Sequence, residues 1–291
     1  LPTMRQEEGD TDPYHRLSVE EVQAEEAKIL RGKLKVYIGA APGVGKTYTM
    51  LREGNDLLEN GIDVVIGLLE THGRAETLAQ VGSLEMIPRQ SIERHGAHLE
   101  EMDTEAILRR NPEVVLIDEL AHTNVPGSLK SKRYEDVLVI LEHGISVIST
   151  MNVQHLESLN DAVEQITGIR VRETVPDHMM RLADEVQLVD VAPKSLQQRM
   201  REGKIYDRAK VEQALSHFFK LGNLIALREL ALRELADDVD ERLESWDRHE
   251  SLRGPWRREE VIFVGVTLTD NAERLIRRGF RIAFRLKAVW I

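Results

Sequence analysis

The sequence predicts an α/β fold, a doubly wound and mostly parallel sheet with a helical C-terminal extension, followed by a second, short α/β segment. Three observations carry this. Short, continuously apolar runs recur after helical stretches, the pattern of a parallel sheet covered on both faces. After Pro193 the signal turns wholly helical. A charged stretch containing Gly254-Pro255 then precedes a new strand-like run.

Taken in order, residues 1–17 form an acidic tail. Ser18-Val19-Glu20-Glu21 is a capping box, in which serine and glutamate satisfy orphan backbone donors, and it opens a helix expected to reach Leu30. Leu34 to Gly39 reads as a strand, Lys46 to Asn60 as a helix ended by Gly61, and Ile62 to Leu69 as a second strand, together one βαβ unit. Further strands are expected over Val114 to Ile117, Ile145 to Thr150 and Val186 to Val191. Leu224, Leu227, Ala231, Leu235, Val239, Leu243 and Trp246 recur at close to the helical period, predicting one long helix from about Asn223 to Trp246. Its apolar stripe packs against its own domain or, as the other reading, forms a homodimer contact. The expected organisation is therefore a main domain over residues 18–246, a linker over 247–258 and a second segment over 259–291, with a strand at Val261 to Val266, a helix over Asn271 to Leu286 and a final strand.

Composition narrows the function. A chain of 291 residues with 42% hydrophobic content can fill an ordinary core. The formal charge of −11 and a pI near 5.5 argue against a nucleic-acid partner, because binding to phosphate backbones rests on clustered positive charge. The absence of cysteine excludes disulfides and thiolate metal sites. No apolar run approaches the roughly 18 residues of a membrane span, and the acidic stretch from Met4 to Asp12 has no signal-peptide pattern. A start at Leu1 and an end on Ala288-Val289-Trp290-Ile291 read as those of an excised piece.

The chemistry concentrates after the first strand. Ala40-Ala41-Pro42-Gly43-Val44-Gly45-Lys46-Thr47 is a phosphate-loop (P-loop) pattern between a strand and a helix, with alanine at the first motif position. In such a loop backbone N–H groups converge on an anion, assisted by the helix N-terminus. Ala41 to Thr47 and the following Tyr48 are expected to bind a nucleotide, Lys46 reaching the terminal phosphates and the Thr47 hydroxyl ligating Mg²⁺. This makes the expected sheet one of P-loop NTPase type. Val114-Val115-Leu116-Ile117-Asp118-Glu119 is an apolar strand ending in two acids, in which Asp118 would share the Mg²⁺ shell.

Glu119 is the first choice of catalytic base because it adjoins that aspartate, the alternative being a solvated acid at a helix start. Glu70 is the rival: Glu70-Thr71-His72-Gly73-Arg74 follows the second strand at the carboxyl edge of the sheet, where ligands bind in open α/β sheets. That segment brings an acid, a histidine and a cation together, either against the ligand or as a structural turn. Asn152 stands where an amide could sense the terminal phosphate or cap a helix, with Gln154 and His155 close behind. The loop Leu120 to Arg133, holding His122, Asn124, Lys130, Lys132 and Arg133, is either a phosphate-responsive switch or a solvated turn. A nucleic-acid motor also uses this scaffold, but clustered aromatic and basic residues are lacking.

These blocks together resemble the N-terminal cytoplasmic region of the KdpD family of potassium-responsive sensor histidine kinases. The resemblance rests on Gly39 to Thr47, Glu70 to Arg74, Asp118-Glu119-Leu120-Ala121-His122-Thr123-Asn124, Asn152 to Asp161 and Arg172-Glu173-Thr174-Val175-Pro176-Asp177, and runs from about Ser18 to Leu243. It implies the regulatory front of an inner-membrane kinase whose four membrane helices and histidine-kinase core lie downstream. None of the 10 histidines is therefore assigned as the phospho-acceptor. It further implies that ATP binding adjusts kinase against phosphatase output toward a cognate response regulator. The alternative is a P-loop serine/threonine phosphotransferase or slow ATPase acting on a potassium-system protein. After Glu259 the chain resembles the start of a universal-stress-protein-like domain, which binds cyclic di-AMP in some members. Thr267-Leu268-Thr269 stands at the serine-rich contact of those members, and the later half of that pocket is missing.

Overall fold

The computed structural model describes residues 31–71, 74–94, 97–206, 208–249, 261–262 and 289–290. The acidic tail, the helix expected from Ser18, the segment 250–260 and the helix expected over Asn271 to Leu286 lie outside the described residues. So do His72, Gly73 and Thr267-Leu268-Thr269. The chain divides into two compact units, Leu1–Asp238 and Val239–Ile291.

Six strands of the first unit form one sheet: β1 (Leu34–Gly39), β2 (Val64–Leu68), β3 (Glu85–Met86), β6 (Val114–Ile117), β7 (Ser146–Asn152) and β8 (Glu185–Leu188). Their order is β3-β2-β6-β7-β1-β8, and every pairing is parallel. The apolar runs of β1, β2, β6 and β7 are buried because helices cover both faces, and side-chain alternation divides them between two cores. Tyr37, Ile66, Leu116 and Ile148 meet Met50 and Leu51 of α1 (Lys46–Glu59) on one face. Val36, Ile38, Val65, Val115, Ile117 and Val147 pack on the other, with Ile107 of α3 (Thr104–Arg110) and Val137, Ile140 and Leu141 of α4 (Arg133–Glu142). Between β2 and β3 lies the short helix α2 (Ala75–Ala79).

The order places a crevice. From β1 the chain crosses through α1 to β2, beyond β6 and β7. From β7 it passes through α5 (Asn160–Thr167) and α6 (His178–Leu182) to β8, on the opposite side of β1. The connections of the neighbours β1 and β7 thus diverge, opening a groove at their carboxyl ends.

The helices α7 (Pro193–Arg201) and α8 (Arg208–Ser216) and the first part of α9 (Leu221–His249), which runs past Asp238, complete the unit. Leu196, Met200, Ile205, Phe219 and Leu224 form a third core with Ala41 and Val44, so the helical extension is built onto the loop after β1. Leu224, Leu227 and Ala231 of the expected α9 stripe are buried within this unit. An antiparallel ribbon of β4 (Gln90–Arg94) and β5 (Ala97–Glu101) stands apart from the main sheet. In the second unit β9 (Val261–Ile262) and β10 (Val289–Trp290) pair in parallel.

Candidate functional site

The loop between β1 and α1 turns on two glycines with left-handed backbones, Gly43 at φ 88° and Gly45 at φ 108°. Only glycine adopts these without strain. Arg199 of α7 donates to the carbonyls of Gly43 and Val44 at 3.1 and 3.3 Å, holding the loop from its helical side. Ala41 is fully buried beneath the loop, whereas Pro42 through Tyr48 line a cavity of about 1280 Å³ at the carboxyl edge of the sheet.

Lys46 opens α1 and is only 8% exposed. Its ammonium donates to Oδ1 of Asn152, the last residue of β7. Burial pulls the Lys46 pKa down to about 8; Asp118 opposes the shift, the Arg74 charge adds to it and Glu119 opposes it. The Thr47 hydroxyl lies 3.2 and 3.1 Å from the two Asp118 oxygens and can donate to either. Asp118, just past β6, is 1% exposed and also accepts from the Thr150 hydroxyl and from the Glu70 N–H at 3.4 Å. Burial raises its pKa, opposed by the Thr150 bond, while neighbouring Glu119 raises it further. Two hard oxygen donors therefore converge beside a buried cation.

Glu119 takes the left-handed conformation, φ 55°, rare for a residue with a side chain. Its N–H donates to the Thr150 hydroxyl at 3.2 Å and its carbonyl accepts from Arg133 at 3.1 Å. Glu70 also lines the cavity, with its carboxylate 3.1 Å from Arg89. His155 lies 2.8 Å from the Glu173 carbonyl through Nδ1. A carbonyl only accepts, so Nδ1 carries the proton. Burial lowers the pKa of this imidazole, against the smaller opposing effect of that hydrogen bond.

In the loop Leu120 to Arg133 several of the polar residues are held by the protein itself. Arg133 begins α4 and is 1% exposed, and Asn124, 5% exposed, donates to Asp136 at 2.6 Å. Lys132 donates to the Thr123 hydroxyl at 2.7 Å. Of the five polar residues singled out there, only His122 lines the cavity. Conversely, Thr150 and Arg199, which line the cavity, escape sequence reasoning. The available signal for Thr150 was a pair of hydroxyl residues, Ser149-Thr150, in an otherwise apolar strand.

Comparison with known proteins places this geometry. A family model described as "KdpD: Osmosensitive K+ channel His kinase sensor domain" matches residues 30–239. The chain belongs to the KdpD family. A relative from Synechocystis sp. is 54% identical over 256 residues, covering 88% of this chain and 68% of its own length. One from Escherichia coli is 49% identical over 260 residues, covering 89% and 29%. Another from Mycobacterium tuberculosis is 51% identical over 258 residues, covering 89% and 30%. All three bear the words sensor protein KdpD in their names, and the chain spans less than a third of the latter two. The KdpD match covers the whole six-stranded sheet and every site residue described above. Among the described residues no helix is long and apolar enough to cross a membrane, and no group of three or more histidines and acids could hold a metal by itself.

Proposed function

We propose that this KdpD domain is an ATP-binding regulatory module of P-loop NTPase type, forming the cytoplasmic front of an inner-membrane sensor histidine kinase that controls potassium uptake through a cognate response regulator. The observation that carries the reading is the contact between Thr47 and Asp118. It joins two motifs 71 residues apart beneath a loop of two left-handed glycines, with Lys46 buried alongside. Thr47 and Asp118 suit Mg²⁺, which takes oxygen donors and retains waters and phosphate oxygens for the rest of its shell. When bound, that ion would neutralise charge between the phosphates. Lys46 would meet the phosphates as a cation, Asn152 would hold its ammonium in place, and loop N–H groups would bind the remaining oxygens.

The parallel β9–β10 pair is consistent with residues 259–291 beginning a universal-stress-protein-like domain. Lys46→Ala should weaken binding of Mg·ATP at least tenfold, corresponding to loss of a charged hydrogen bond of about 1.5–3 kcal/mol. Calorimetric titration of the chain and the variant tests this, and equal affinities would remove the site assignment.

One observation favours a second reading, in which the module also hydrolyses ATP slowly or passes its γ-phosphate to a protein hydroxyl. The strained backbone at Glu119 is the kind found at catalytic positions, and Glu70, the rival base, is already engaged by Arg89. Release or transfer of label from γ-labelled ATP distinguishes turnover from binding alone.

A further inference from the structure

Arg52 and Lys210 line the cavity from exposed positions, and the other cations there differ in what already holds them. The Lys46 ammonium is bonded to Asn152, and Arg199 to the carbonyls of Gly43 and Val44. Lys204 pairs with Glu202 at 3.2 Å and faces Glu76 at 3.8 Å. Among the described residues Arg74 is held through its backbone, its N–H donating to the Thr71 carbonyl at 2.9 Å and its carbonyl accepting from Leu78 at 3.0 Å. Its side chain lines the cavity, yet Nε is buried with no hydrogen-bond partner, and among the described residues no carboxylate pairs with the guanidinium.

A buried, unsatisfied donor and two like charges brought together are each unfavourable. The two charges do interact: Arg74 is among the groups that depress the Lys46 pKa. The backbone leading to Arg74 is anchored on the acidic side of the site, where the Glu70 N–H meets Asp118 Oδ2 at 3.4 Å. Two of these cations, Lys46 after the loop and Arg74 at the N-cap of α2, thus line one cavity with charges that interact, in an arrangement complementary to a polyanion. A planar guanidinium matches the oxygens of a terminal phosphate in a way that a point charge does not.

We infer that Arg74 reads the terminal phosphate of the nucleotide, forming with Lys46 a two-cation clamp that separates a nucleoside triphosphate from the diphosphate. This rests on the nucleotide-binding reading of the same site. If that reading holds, the module would report the state of the nucleotide as well as its presence.

The test is calorimetric titration of the chain, of Arg74→Ala and of Arg74→Lys with ATP and with ADP, each with Mg²⁺. Arg74→Ala should lose about ten- to hundredfold in ATP affinity, the scale of a charged hydrogen bond, while ADP affinity changes little. Arg74→Lys, which keeps the charge and loses the fork, should recover part of the loss and guards against misfolding of the alanine variant. Parallel weakening for ATP and ADP, or no change for either, overturns the inference and leaves nucleotide binding intact. Failure of the unsubstituted chain to bind either nucleotide overturns both.

Discussion

Arg133 and Glu101 are 1% and 3% exposed and lie 3.2 Å apart. Such a pair persists because most of its remaining hydrogen-bonding capacity is met from both sides, although Arg133 Nε is left without a partner. Arg133 donates to the carbonyls of Asp118 and Glu119 at 3.0 and 3.1 Å, fixing the turn that gives Glu119 its left-handed backbone. Glu101 accepts from the Met102 and Val125 N–H groups at 2.9 and 3.0 Å and has His122 3.4 Å away. Despite the cost of burial, the His122, Met102, Arg133 and Val125 contacts hold its carboxyl down at about 2. A folded-state pKa below the ordinary 4.5 stabilises the fold fully above that ordinary value and ceases to do so as pH falls through about 2. Glu101→Gln should therefore lower stability at neutral pH by about 3 kcal/mol, since it leaves a buried guanidinium without its counter-ion. The gap between variant and parent should close as pH falls from about 4.5 toward 2. Urea unfolding at pH 7 and pH 3 measures both. Nothing in the sequence marks this pair: the partners are 32 residues apart, and Arg133 sits among loop-like polar residues.

At the scale of elements, legibility follows burial pattern. β1, β2, β6 and β7 are legible because each is a continuous apolar run covered on both faces, and the turn after β1 because its glycines are visible in the sequence. The β4–β5 ribbon is not, since Ser91-Ile92-Glu93 and His98-Leu99-Glu100 are largely exposed and carry no apolar run. β3 is two exposed residues. The loop itself allows a finer test. A Cβ at Gly43 would lie 2.3 Å from Cδ1 of Ile205, whereas one at Gly45 would meet nothing within 4 Å. Both positions have positive φ, so alanine at either should cost about 1–2 kcal/mol from the backbone alone. Only at Gly43 does the helical extension add a steric cost. Ile205→Ala should consequently rescue part of the loss in Gly43→Ala and none of that in Gly45→Ala. A double-mutant cycle of unfolding free energies reads the difference directly, and equal coupling at the two glycines would exclude the Ile205 contact as its source.

For the molecule as a whole, strand order is the part that local pattern cannot supply. Runs such as Val114 to Ile117 announce a buried strand, but which neighbours it takes depends on how crossover helices fill both faces. The observed order makes β1 and β7 diverge and thereby brings Asp118, Asn152 and the loop to one edge. The helical extension has a similar status. Its helices are legible, and their seat against Ala41 and Val44 is not, although that seat makes the extension part of the site rather than an appendage. Phe219 anchors it, 1% exposed, its ring edge-on to Phe218 at 5.2 Å and to Tyr206 at 5.8 Å. Ile140 is equally buried, but against the opposite face of the sheet. Trimming either core, by Phe219→Leu or Ile140→Val, should lower stability by roughly 1 kcal/mol and leave the chain folded. If the extension shapes the loop, only Phe219→Leu should also weaken Mg·ATP binding, because its core contains the residues on which the loop rests. Paired unfolding and calorimetric measurements separate the two effects: equal affinities in both variants would mean that the extension contributes stability alone, and weaker binding in Phe219→Leu only would make α7–α9 a structural component of the nucleotide site.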